Sequence, residues 1–173
     1  VHALSNSNSQ VSFINEMAKT KGLKNIYAEK ADVTVFESSE KYDRIVSVEM
    51  FEHMRNWQLL LRKIAGWLKS DGKCFLHFFC HRNWPYLFED SSPSEWMGYY
   101  FFTGGMMPSF DLPLYFQEDL SVENSWEVNG NHYVKTLESW LKKMDRNSNE
   151  IQILLKRIYR SDHRSWVGRW RIF

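Results

Sequence analysis

Apolar positions along the first eighty residues follow two alternating rhythms. Val11, Ile14, Met17 and Ala18 recur three and four apart, as do Leu60, Leu61, Ile64 and Leu68. That spacing lays one stripe along a helix and predicts helices over residues 9–21 and 57–69. Gly22 supplies the stop of the first, and the run Ser70, Asp71, Gly72 ends the second. Between them lie short apolar runs at 1–4, 25–29, 43–48 and 73–79, too brief for buried helices and bounded by polar turns. Strands alternating with helices predict a parallel sheet of βαβ units, hence an α/β fold.

The texture changes after Cys80. Residues 81–120 are dense in aromatics and prolines, including Trp84, Trp96, Tyr99, Phe101, Phe102, Pro108 and Pro113, with Gly104 and Gly105 among them. A stretch so apolar is no solvated linker, and it reads as a cap over the sheet that either encloses a ligand or simply packs. Residues 121–128 read as a strand, Asn129-Gly130 as a turn, and 136–144 and 148–160 as helices. The expected organisation is a partial core at 1–80, an aromatic cap at 81–120 and the rest of the core at 121–173.

Composition narrows the class. The chain has 173 residues, 43% of them hydrophobic and 25% charged, which suits a globular domain. A formal net charge of +1 gives no electrostatic footprint for nucleic acid. No apolar run reaches membrane-spanning length. Cys74 and Cys80 sit six apart on one expected strand, too far along it to bridge, and suggest reduced thiols in an intracellular setting. The six histidines show no metal-ligand spacing.

The densest chemistry lies at residues 42–54, where Ile45, Val46 and Val48 lead into Glu49, Glu52 and His53. Open α/β sheets place ligands at the carboxyl ends of their strands. If a helix begins at Glu49, the two carboxylates and the imidazole share one side of its first turns. Acidic residues are also favoured at helix starts by the dipole alone, so spacing leaves a structural reading open.

An ordered set of segments then becomes recognisable: SNSNSQ at 5–10, ADVT at 31–34, SVEMFEHM at 47–54, YFFTGGMMPS at 100–109, LYFQED at 114–119, HY at 132–133 and TLESWLKKM at 136–144. This set resembles the S-adenosyl-L-methionine-dependent methyltransferases of the cyclopropane fatty acid synthase superfamily, in wording nearest to the plant coclaurine N-methyltransferase type. The resemblance implies a class I, Rossmann-like methyltransferase sheet and N-methylation of a small, alkaloid-like amine. A cytoplasmic enzyme is expected, with a homodimer of the intact enzyme left open. By it, Ser5, Asn6 and Gln10 lie beside the cofactor's ribose and methionine part, Asp32 and Val33 at the adenine, and Ser47 and Val48 near the sulfonium. Glu49, Glu52 and His53 match the acid/base cluster. Glu52, His77 and Tyr133 match residues that hold a bicarbonate in cyclopropane-forming relatives. Tyr99 and Phe102 belong to the cap over the substrate, and no metal is implied.

The same resemblance implies a fragment. In the family's strand order 3-2-1-4-5-7-6, the central first strand with its Gly-rich turn would precede Val1, and the last strand would follow Phe173. The strands at 1–4 and 25–29 then lack the partner that joins them to the strand at 43–48. The polypeptide alone is accordingly expected to bind the cofactor weakly. Two alternatives stand beside N-methylation: methyl transfer to a lipid alkene, and an inactive product that only partners an intact enzyme.

Overall fold

The computed structural model describes residues 1–173. It divides into two compact units, Val1–Glu123 and Asn124–Phe173.

In the first unit, β1 (His2–Ser5) and β2 (Tyr27–Lys30) pair in parallel, with His2 opposite Tyr27 and Ser5 opposite Lys30. The crossover is α1 (Asn8–Thr20), which starts where the Ser7 hydroxyl accepts from the Gln10 amide. It ends at Gly22, whose φ of +65° suits a residue without a Cβ. One side chain of α1 fastens the pair. The Asn15 amide donates to the Ala28 carbonyl at 2.8 Å, and its oxygen accepts from the Ala28 N–H at 3.0 Å. The outward backbone groups of a buried strand residue are thereby satisfied.

The second βαβ unit repeats the plan with a stronger core. β3 (Tyr42–Val48) and β4 (Leu68–His77) run parallel, joined through α2 (Trp57–Trp67), which the Asn56 side chain caps by accepting from the Leu59 amide. Trp57, Leu60, Leu61, Ile64 and Trp67 of α2 are buried against Phe51, Met106 and Leu112. Each such side chain contributes about 1.5–3 kcal/mol on leaving water. The expected turn at 70–72 is corrected here: β4 begins at Leu68, and the turn residues form an irregularity inside it. Tyr42 pairs with Leu68 but Arg44 with Lys73, so residues 69–72 bulge outward. A Cβ on Gly72 would lie 2.9 Å from Leu68 Cδ2 and 3.0 Å from the Tyr42 carbonyl, which explains the glycine.

The two pairs remain separate sheets. A hydrogen bond of 2.9 Å between His2 Nδ1 and the Tyr42 hydroxyl links the start of β1 to the start of β3. Val46 and Val48 are 64% and 58% exposed although both lie in β3. The aromatic segment folds as a short antiparallel ribbon, β5 (Tyr86–Leu87) with β6 (Met106–Met107), around α3 (Trp96–Tyr100).

The second unit is helical: α4 (Asn131–Arg146), α5 (Ser148–Tyr159) and α6 (His163–Ile172). The strand expected at 121–128 does not form. Those residues carry no regular structure and all but Val122 are exposed, because an alternating pattern is stable only against a ladder partner and none is present. Asn129-Gly130 opens α4 instead of a hairpin, with Gly130 as its N-cap residue, and the chain closes in a helix. Within this unit Tyr159 stacks on Trp166 at 4.1 Å, and Arg169 bonds Asp162 at 2.7 Å.

Candidate active site

β3 delivers its polar residues abruptly. Ser47 is buried, and its hydroxyl oxygen has no hydrogen-bond partner. Glu49 follows with φ of +52°, a left-handed conformation unusual for a residue with a long side chain. Its amide donates to the His77 carbonyl at 2.8 Å, which extends the β3–β4 ladder by one bond. The twist at Glu49 turns its carboxylate toward the end of β4, where Oε1 lies 2.9 Å from His77 Nδ1.

The expected shared helical side for Glu49, Glu52 and His53 is therefore corrected. Only Phe51–His53 forms a 3₁₀ turn, and Glu49 lies outside it. Glu52 points inward and is 1% exposed, with Oε2 unpartnered. His53 points outward and stacks on Phe102 with ring centres 5.6 Å apart. The reason is sterics: a single tight turn sends adjacent residues to different sides.

Burial gives Glu52 unusual acid–base character. Desolvation drives its carboxyl up from 4.5 to about 7, its own backbone amide opposes this, and the charge of Glu49 reinforces it. A carboxylic acid that titrates near neutrality, beside a carboxylate–imidazole contact, can both hold a cation and exchange a proton.

The other sequence-derived candidates are spread over several elements. Ser5 and Gln10 meet: the Ser5 hydroxyl donates to Gln10 Oε1 at 2.7 Å and accepts from the Ser7 amide, while Asn6 between them is exposed. Asp32 accepts from the Thr34 hydroxyl at 2.7 Å and the Thr34 amide at 2.9 Å, which lowers its pKa, the hydroxyl foremost. Val33 packs against the core and Val48 faces outward. Tyr99 is 44% exposed and touches Tyr100 edge-on. Tyr133 lies in the first turn of α4, within the second unit, and is exposed. Cys74 is half-buried, with burial raising its thiol to about 11, and Cys80 is exposed beyond the end of β4; neither is in a disulfide. No group of acidic, histidine and cysteine side chains is arranged to hold a metal ion, and no helix is long and apolar enough to cross a membrane.

Two contacts escaped the sequence. The Glu49–His77 approach depends on a backbone twist that no spacing rule foresees. Arg55 reaches across to the aromatic segment, donating from Nε to the Gly104 carbonyl at 2.9 Å. The only hint was a basic residue two places after His53.

Parallel βαβ units that bring carboxylates and an imidazole to strand ends define the α/β class whose sheets carry ligands at that edge. Over residues 1–165 the sequence matches the family described as mycolic acid cyclopropane synthetase. The chain belongs to this family. It is 39% identical to (S)-coclaurine N-methyltransferase of Thalictrum flavum subsp. glaucum over 178 residues, covering 100% of this chain and 49% of that one. With the Papaver somniferum enzyme of the same name it shares 38% over 168 residues, covering 95% and 48%. The solved structure of a coclaurine N-methyltransferase bound to N-methylheliamine and SAH superposes with a TM-score of 0.89 at 38% identity, covering 99% of this chain and 52% of that one. A putative sarcosine dimethylglycine methyltransferase from Galdieria sulphuraria shares the fold, at a TM-score of 0.69, 16% identity and coverage of 98% and 62%. The methyltransferase α/β fold expected from the sequence is the one found. The chain spans about half the length of the curated relatives it matches.

Proposed function

We propose that the protein carrying this chain is an S-adenosylmethionine-dependent methyltransferase that N-methylates a small, alkaloid-like amine. The observation that carries this reading is Glu52, buried, titrating near neutrality and within reach of the Glu49 charge, on a turn whose neighbours make the Glu49–His77 contact and the His53–Phe102 stack. The names of the relatives supply the reaction class, and the SAH bound in the solved coclaurine N-methyltransferase structure supports the cofactor.

The residues present fit that cofactor. Ser47 offers a buried hydroxyl with no partner at the end of β3, and Val48 leaves an apolar face beside it. Asp32 holds its charge in an exposed loop, which suits acceptance of a bond from an exocyclic amine. Ser5, Asn6 and Gln10 would meet the polar ribose and amino-acid portions. The cofactor, when bound, supplies an electrophilic methyl group.

The chain's own residues then have distinct tasks. An amine reaches the site largely as its ammonium form, and the Glu49 carboxylate attracts it. Before its nitrogen can attack, the proton must leave. His53 is exposed, so its imidazole can receive that proton. Glu52 keeps the local charge low by remaining partly protonated. Acid–base assistance of this kind contributes about 10²–10⁴ in rate, and alignment of donor and nucleophile supplies much of the rest.

The test is methyl transfer from labelled S-adenosylmethionine to a panel of secondary and tertiary amines, with unsaturated phospholipid as a parallel arm. Turnover of an amine that falls at least about 10²-fold in the Glu52→Gln/His53→Ala double variant supports the reading. Transfer to phospholipid alone, or full turnover by the double variant, overturns it.

A further inference from the structure

Arg55 lies two residues beyond His53 and grips the aromatic segment at two points. Nε donates to the Gly104 carbonyl at 2.9 Å, and the second guanidinium nitrogen donates to the Phe88 carbonyl at 3.4 Å. These carbonyls belong to the two strands' flanks of the β5–β6 ribbon, already joined there by the Phe88 amide donating to the Gly105 carbonyl at 3.1 Å. The same flanks carry Phe88 and Phe102, whose rings stack at 5.3 Å, and Phe102 in turn backs the His53 ring. Phe79 meets Phe102 edge-on at 5.5 Å. His53, Phe102 and Phe88 thus form one column of stacked rings, and Arg55 ties its base to the turn that bears its top.

The approach is close at Gly105. Gly105 is buried, and a Cβ there would lie 2.9 Å from the Glu52 carbonyl and 3.2 Å from the Phe102 carbonyl. Gly104 has φ of +76°. The ribbon therefore reaches the acid turn because Gly105 lets backbone meet backbone and Gly104 supplies the left-handed turn beside it, and the guanidinium spans the two flanks. A planar fork of donors holds two carbonyls at a set spacing, which a lysine's single ammonium does not reproduce.

We propose that Arg55 is a positioning residue for His53: it sets the height of the ribbon so that the Phe102 ring braces the imidazole. Phe102 on this view acts as a wall behind the base instead of a platform for the substrate. The proposal rests on the reading that His53 handles the substrate's proton. Its direct consequence concerns ring geometry and does not need turnover.

Two measurements test it. The first is the proton resonances of the His53 ring, which the Phe102 ring current shifts upfield in the folded chain. Arg55→Met should move them back toward the positions of an unstacked histidine, with Arg55→Lys between, while Arg62→Met, which removes a guanidinium bonded to Glu118 and Asp119 elsewhere, should leave them in place. The second is amine methylation, where kcat should fall about 10–10²-fold with KM nearly constant, because a misplaced group costs rate more than binding. If Arg55→Met does not fold, Arg55→Lys carries both measurements. Unmoved His53 resonances in a folded Arg55 variant overturn the proposal whatever the turnover. Moved resonances with unchanged kcat overturn the positioning role. Failure of the underlying function shows differently, as full activity of His53→Ala.

Discussion

Glu52 is the residue through which pH acts on this molecule. Its carboxyl titrates at about 7 in the folded chain against 4.5 ordinarily, so the folded state binds the proton more tightly than the unfolded one. Stability is then greatest below about 4.5 and declines as pH rises toward 7. At about 1.4 kcal/mol per unit the full loss is roughly 3 kcal/mol. Replacing the carboxyl by an amide of the same shape removes the titration. Denaturant unfolding at pH 5 and pH 8 should show Glu52→Gln nearly level between the two, and more stable than the parent at pH 8. A parent whose stability does not decline over that range contradicts the assignment. Glu49 shows the other side of the same economy of space: its left-handed backbone is a local cost of about 1–3 kcal/mol, retained where its carboxylate meets His77.

Elements were legible to the degree that their own residues fix them. The stripes at Val11–Ile14–Met17 and Leu60–Leu61–Ile64 mark helices because one face must leave water, and α1 and α2 follow. The runs at 25–29 and 43–48 read as strands for the matching reason, and β2 and β3 form there at Tyr27–Lys30 and Tyr42–Val48. Residues 121–128 show the same alternation but have no ladder to join. The β4 irregularity was illegible because it depends on a distant neighbour, the Tyr42 carbonyl, and the outward turn of His53 because a single 3₁₀ turn stands where the spacing suits a helix. The cluster's membership could be read from residues 47–54, its geometry could not. Close packing of α3 gives a sharp prediction at this scale. A Cβ on Gly98 would sit 1.9 Å from the Glu89 carbonyl, so Gly98→Ala forces the helix off its seat. Overpacking of this kind costs about 1–3 kcal/mol, and thermal unfolding should fall accordingly, whereas Gly66→Ala, which meets nothing within 4 Å, should be neutral or slightly stabilising.

At the scale of the whole molecule, the two units differ in how much they conceal. The first buries Trp57, Phe51 and Ile64 almost completely, whereas in the second Leu155 is the buried large side chain, and Trp140 and Ile153 are 58% and 70% exposed. Residues 123–131, exposed throughout and without regular structure up to the start of α4, join them. Brief digestion with the glutamate-specific protease should therefore cut first at Glu123 or Glu127, identified by mass spectrometry of the fragments, and early cleavage at the buried Glu52 of the first unit would contradict this ranking of stabilities. The Asn15 clip on Ala28 has a broader effect. Exposed strand margins are where copies of a protein zip together into fibres, and on the far side of β2 that growth is stopped by one amide side chain occupying the bonds an incoming chain would need.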